Sequence, residues 1–193
     1  GGIDIKDENW NNVITNQVML AIDESDVIIF VVDGKDGITS NDEYIRDLLH
    51  KSGKKVVVAI NKIDSKLANE NMYEFYTLGF DNYVPISAEH NIGIDELFSK
   101  VFVGLNKNDD VLEDDKPKLC VIGRPNVGKS SLVNALLNEE RVIVSDIAGT
   151  TRDSVDTIFK YENNEYVLID TAGLRKKGKV YESVEKYSLL RSM

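Results

Sequence analysis

Gly123-Arg124-Pro125-Asn126-Val127-Gly128-Lys129-Ser130 sets two glycines, a lysine and a hydroxyl at the spacing G-x-x-x-x-G-K-[ST]. That pattern is a backbone cradle for phosphate groups, a P-loop. Glycine allows the tight turn that points successive N–H groups at an anion. A helix that opens at the same point adds positive potential. Lys129 is placed to reach β- and γ-phosphates, Ser130 to offer its hydroxyl to Mg2+, and Ser131 continues the cradle.

Asn61-Lys62-Ile63-Asp64 is the second constellation. Guanine carries an N1–H beside a 2-amino group, and one carboxylate, Asp64, can accept both; adenine has no such donor pair. Asn61 can address the other edge of the ring, and the Lys62 stem can cover its face. Ser87-Ala88 is expected to bring backbone N–H groups toward the guanine O6. Asp170-Thr171-Ala172-Gly173-Leu174 places a carboxylate behind Mg2+, with the Gly173 N–H as a sensor of the γ-phosphate and Leu174 next in the switch. Of the pair Thr150-Thr151, Thr151 is expected to complete the Mg2+ shell.

Two features bear on turnover. Leu174 stands where many GTPases carry a water-positioning glutamine. The sequence shows no evident arginine finger, although Arg152 and Arg175 are candidates. Asn126 has a side-chain oxygen inside the P-loop and can hold a monovalent cation such as potassium; as a plain turn residue it would do nothing of the kind.

The elements that must position these groups alternate. Residues 11–24 read as a helix with Val13, Ile14, Val18 and Ile22 on one face. Residues 26–33 and 55–60 read as buried parallel strands, residues 41–52 as a helix stopped by Gly53, and 66–78 as a helix ended by Gly79. A short strand at 83–86 and a helix over 95–105 complete the first part. Residues 106–117 are polar and acidic, a linker. After them, 119–122 reads as a strand, 131–137 as a helix, and 155–161 and 165–169 as a hairpin across Glu162-Asn163-Asn164. Residues 181–193 read as a helix. The whole predicts an α/β fold with a mainly parallel sheet and one antiparallel edge pair.

Composition narrows the class. The chain has 193 residues, enough for a sizeable core, and a net charge of −10. Residues 1–117 carry −12 and residues 118–193 carry +2. An acidic chain is a poor general nucleic-acid binder; the exception is the local cluster Arg175-Lys176-Lys177-Gly178-Lys179, a solvated loop or a partner-contacting switch. No apolar run approaches a membrane span, and no signal peptide is visible. Cys120 is the lone cysteine, expected to be a buried small hydrophobe in a cytosolic protein. His50 and His90 suggest no metal site.

Taken together, G-R-P-N-V-G-K-S-S-L-V-N, A-G-T-T-R-D, D-T-A-G-L-R-K-K-G-K and E-K-Y-S-L-L-R resemble the second G domain of the Der (EngA) family of bacterial GTPases. G-G-I-D-I, D-V-I-I-F-V-V-D-G, N-K-I-D and P-I-S-A resemble the later half of that family's first G domain. The resemblance implies a P-loop NTPase fold, GTP and GDP as ligands, Mg2+ and potassium as cofactors, and a part in assembling the large ribosomal subunit. It assigns the Mg2+-binding threonine to Thr151 and potassium dependence to Asn126 and the Asp146–Thr151 loop.

It also implies a permuted order: residues 1–105 as the C-terminal half of one G domain, 106–117 as linker, and 118–193 as the N-terminal half of the next. The sequence then predicts that residues 25–105 supply three strands and 118–170 three more. The linker, at up to ~3.3 Å per residue, can close them into one domain, within the chain or by exchange in a domain-swapped dimer; two half-domains, each with an open sheet edge, are the alternative. Residues 11–24 and 181–193 both match the helix after the switch, so one is expected to be displaced, mobile or used in dimerisation. Hydrolysis of GTP is the leading expectation. A guanine-nucleotide-binding module without useful turnover and an ATPase are the alternatives.

Overall fold

The computed structural model describes residues 18–64, 72–105, 116–144, 156–162 and 164–169. Residues 18–24 are helical (α1). Then follow β1 (Val27–Asp33), α2 (Ser40–Ser52), β2 (Lys55–Asn61), α3 (Met72–Phe75), β3 (Asn82–Pro85), α4 (Ile94–Phe102), β4 (Lys118–Ile122), α5 (Lys129–Leu137), β5 (Val142–Val144), β6 (Thr157–Tyr161) and β7 (Asn164–Ile169).

The strands form one seven-stranded sheet in the order β3-β2-β1-β4-β7-β6-β5. The first five are parallel to one another. Apolar residues run without interruption through β1, β2 and β4, as strands covered on both faces require. Along β1, Val27, Ile29 and Val31 face a layer containing Leu97, Phe98 and Leu132 of α4 and α5. Ile28, Phe30 and Val32 face the opposite layer, with Val18 and Ile22 of α1 and Ile45 and Leu49 of α2. That period of two gives the molecule its three layers, helix, sheet and helix.

The segments before and after the acidic linker therefore share one sheet. Their seam is the β1–β4 ladder, from Val27↔Leu119 to Phe30↔Ile122. Asp26 extends it: its N–H donates to the Lys118 carbonyl (2.8 Å) and its carboxylate accepts from the Lys118 N–H (2.7 Å). On one face an aromatic cluster crosses the seam. Phe98 of α4 stacks on Tyr161 of β6 at 4.6 Å, and Phe102 lies 4.2 Å from Tyr166 of β7 and 4.9 Å from Tyr161.

Several expected bounds shift, each for a local reason. The second segment contributes four strands rather than three. β6 pairs antiparallel with β5 as well as β7, so the antiparallel part is a three-strand meander with β5 at the edge. The helix expected over 95–105 ends at Phe102. Val103 turns extended (φ −55°, ψ 123°), Gly104 is left-handed (φ 77°), and Lys55 Nζ donates to the Val101 and Val103 carbonyls (3.0 and 2.6 Å). The helix before Gly79 finishes in a 3-10 turn over Tyr76–Leu78. Gly53 ends α2 in the left-handed conformation, as expected. Cys120 is fully buried. The helix expected at 181–193 lies outside the described residues, as do Val13 and Ile14 of the first helix.

Candidate functional site

Parallel strands put their C-terminal ends at one edge of the sheet, and the loops there form the crevice where ligands bind in this architecture. Asp33 ends β1, Asn61 ends β2, Pro85 ends β3 and Ile122 ends β4. The loops that follow β2, β3 and β4 carry the predicted base-reading residues and the P-loop. The sheet order brings them side by side.

The P-loop runs from Gly123 to Gly128 and opens onto α5 at Lys129. Gly123 is pressed against β1: a Cβ there would stand 2.4 Å from the Val31 carbonyl oxygen. Gly128 has φ 95° and would put a Cβ 2.2 Å from Asn61 Nδ2. Asn126 adopts φ 64°, a left-handed conformation that asparagine tolerates better than most residues, and is exposed. Lys129 is 8% exposed. Its ammonium donates to the carbonyls of Gly123 (2.9 Å) and Arg124 (2.7 Å). Burial, with a smaller push from the Arg124 charge, lowers its pKa to about 8.

Asn61 joins the two constellations. It is buried, its Nδ2 donates to the Val127 carbonyl (2.8 Å) and its Oδ1 accepts from the Ala88 N–H (3.0 Å). The amide thus ties β2 to the P-loop on one side and to the Ser87-Ala88 loop on the other. These two bonds use one of the two N–H donors on Nδ2 and one lone pair on Oδ1, so the amide keeps a donor for the expected contact at the ring edge. The N–H groups of Ser87 and Ala88 are also committed within the protein, to the Ile92 carbonyl (3.0 Å) and to Asn61 respectively. A bridge between Ser87 and Ile92 folds the loop back on itself, which is why those donors turn inward.

Carboxylates and cations at the base-reading end are paired. Lys62, with φ 68°, sends its ammonium to the buried carboxylate of Asp33. Asp33 Oδ1 also accepts from the N–H groups of Lys35 (2.9 Å) and Asp36 (3.3 Å). Burial pushes the Asp33 pKa up, but Lys62 and the two backbone donors outweigh it, so the net shift is downward. Asp64 Oδ2 accepts from Lys35 Nζ at 2.9 Å, and that bond holds the Asp64 carboxyl below its ordinary pKa. Arg124, second in the P-loop, reaches away from the cradle to Asp36 (2.8 Å) and to the buried Asp42 (3.3 Å). Asp42 also completes a capping box with Thr39 at the start of α2.

An open cleft of about 350 Å³ adjoins this region, lined by Ala88, Asn91, Ser131, Asn134, Ala135 and Asn138. It lies between the Ser87-Ala88 loop and the exposed stripe of α5, and it shares Ala88 and Ser131 with the predicted site.

The structure thus brings together Asn61, Lys62, Asp64, Ser87 and Ala88 with Gly123–Ser131. Thr151, Asp170, Thr171, Ala172, Gly173 and Leu174 lie outside the described residues, as do Arg152 and the 175–179 cluster. Sequence reasoning missed Lys35, Asp33, Asp36 and Asp42. The available signal was an aspartate-glycine pair, Asp33-Gly34, at the end of an apolar strand.

A P-loop at the mouth of a parallel sheet, braced against an N-K-x-D strand end, defines a P-loop NTPase of the G-domain class. Two family models agree: one described as a 50S ribosome-binding GTPase matches residues 118–192, and one described as the elongation factor Tu GTP binding domain matches residues 14–107.

Over its whole length the chain is similar to proteins named GTPase Der. It is 57% identical to GTPase Der of Geobacillus sp. (strain WCH70), 56% to that of Geobacillus kaustophilus and 53% to that of Macrococcus caseolyticus, over 100% of this chain in each case. The chain spans 44% of the length of each of these relatives. Among solved structures it is similar in fold to YjeQ from Thermotoga maritima, with TM-score 0.51 and 24% identity over 76% of this chain and 47% of that one. No helix among the described residues is long and apolar enough to cross a membrane.

Proposed function

We propose that the two segments of this chain, residues 1–105 and 118–193 with 106–117 between them, assemble one guanine-nucleotide site and hydrolyse GTP there. The carrying observation is the Asn61 amide, which binds the P-loop carbonyl of Val127 and so sets base-reading residues beside phosphate-binding ones. Asp64 accepts the N1–H and 2-amino group of guanine. The P-loop N–H groups of Gly123–Ser131 and the ammonium of Lys129 take the phosphates. A buried ammonium whose described partners are two carbonyls suits an anion.

Ser130, in the first turn of α5, is the described member of a Mg2+ donor set that Thr151 and Asp170 (through water) complete. The ion, when bound, neutralises phosphate charge. Thr171, Ala172, Gly173 and Leu174 form the switch that follows the γ-phosphate. Asn126 stands exposed at the crest of the P-loop, where its side-chain oxygen can hold potassium in place of an arginine finger. The site serves as a switch in assembly of the large ribosomal subunit, a reading supported by the matched family's description as a 50S ribosome-binding GTPase. A cytoplasmic setting agrees with it.

Equilibrium binding and single-turnover kinetics test the proposal. GDP should compete for the site far better than ADP, and GTP should turn over faster in potassium than in sodium. Binding of GDP without measurable turnover would leave a nucleotide-binding module, which Leu174 favours. Equal rates in the two salts would remove potassium from the mechanism.

A further inference from the structure

Among the described residues Lys35 is a further cation at the base-reading end, and no motif accounts for it. Its backbone is fixed. The Gly34 N–H donates to the Asn61 carbonyl (2.8 Å), and a Cβ on Gly34 would lie 2.4 Å from Ile63 Cδ1, so the loop packs directly on the Asn61–Asp64 strand end. Asp33 Oδ1 holds the Lys35 and Asp36 N–H groups from beneath, and Arg124 of the P-loop holds Asp36 from the side. From this braced loop Lys35 Nζ reaches Asp64 Oδ2 at 2.9 Å. The other nearby ammonium, Lys62, is turned to Asp33. Among the described residues Lys35 is therefore the cation bonded to the Asp64 carboxylate.

A carboxylate offers about four lone-pair positions on its two oxygens. One goes to Lys35, which leaves both oxygens able to receive a further donor. Guanine needs both oxygens at once and in the plane of its edge. A base with a single donor tolerates a rotated carboxylate.

We propose that Lys35 is a positioning residue for guanine specificity: by holding Asp64 Oδ2 it aligns the carboxylate for simultaneous bonds to the N1–H and the 2-amino group. The inference rests on the proposed guanine reading of Asp64.

Isothermal titration of the 193-residue chain with GDP and with inosine diphosphate tests it. Inosine diphosphate keeps the ring N–H and lacks the 2-amino group. Lys35→Met should weaken GDP binding by about two- to fivefold, the range of an exposed ion pair. It should weaken inosine diphosphate binding less, so that the preference between the two narrows. Lys35→Arg, which keeps the cation, should restore the preference. The pair is half-exposed, and both variants should melt with the wild type. Equal losses for the two ligands would mean that Lys35 acts as a general positive charge, and unchanged or tighter GDP binding would mean that it competes with the base; either overturns the proposal. A wild type that does not prefer GDP to both inosine diphosphate and ADP would refute the guanine reading itself, and the role of Lys35 with it.

Discussion

The two ends of the site treat charge in opposite ways. At the base-reading end the carboxylates of Asp33 and Asp64 each have a cation: Asp33 has Lys62, and Asp64 has Lys35. At the phosphate end Lys129 is buried with two carbonyls as its described partners, and burial pulls its pKa down to about 8. The first end sets these charges in pairs and selects a neutral ring by donor pattern. The second holds uncompensated positive charge and selects an anion. Asn61 and Arg124 join them, each reaching from one segment into the other. The comparison implies that some substitutions should damage the joint, and others one end alone.

The largest effect is expected at the seam. Phe102 lies against Phe159, Tyr161 and Tyr166 of the second segment and is nearly buried. Phe102→Ala should cost about 3–5 kcal/mol of stability, read by urea unfolding. If the segments fold independently, the variant will show two transitions, one of them at the wild-type midpoint, and the idea of a single cooperative body fails. One shifted transition supports it.

Asn61→Ala comes next. It strips partners from the buried Ala88 N–H and the Val127 carbonyl, at about 1–3 kcal/mol for each group left unpaired. Because Asn61 braces both ends, stability and GDP affinity should fall together. A variant that keeps its melting temperature and loses only affinity would make Asn61 a ligand contact and not a brace.

Lys129→Met should separate what Asn61→Ala couples. The loss of a charge-assisted bond to phosphate predicts GDP binding weaker by about 10- to 100-fold. Stability without nucleotide should hold or rise, because a buried, poorly compensated charge is removed. Affinity for guanosine, which has no phosphate, should stay unchanged. An equal loss for guanosine and GDP would erase the distinction between the two ends.

Much of this was legible in the sequence because backbone demands are local. A glycine pair at fixed spacing, an apolar strand run and a left-handed stop at Gly53 each follow from a few adjacent residues. The joint was less legible. Asn61 fits the signature of a base contact, and nothing local says that its amide will also brace Val127 and Ala88, residues 66 and 27 positions away. Lys35 and Asp36 read as an ordinary turn; their partners, Asp64 and Arg124, become neighbours only when β1 lies between β2 and β4. The edge strand β5 was hidden for a similar reason. Three residues, two of them exposed, carry no burial pattern until β6 pairs with them.

The smallest effect is a fraction of a proton, and it tests the phosphate end alone. With a pKa of about 8, Lys129 is charged at pH 7 and mostly neutral at pH 9 in the free protein. Phosphate beside it favours the ammonium and raises the pKa again. GDP binding should then take up almost no proton at pH 7 and about nine-tenths of one at pH 9, with affinity falling as pH rises above 8. The folded state alone should do the reverse. Its Lys129 pKa is depressed below the ordinary 10.5, so between pH 8 and 10.5 the unfolded chain binds more protons and the Lys129 contribution to stability rises with pH. Titration calorimetry in two buffers of different ionisation enthalpy measures the uptake, and Lys129→Arg, charged throughout this range, should abolish it. Uptake that persists in the arginine variant would place the titrating group elsewhere and leave Lys129 as well compensated as the lysines at the other end.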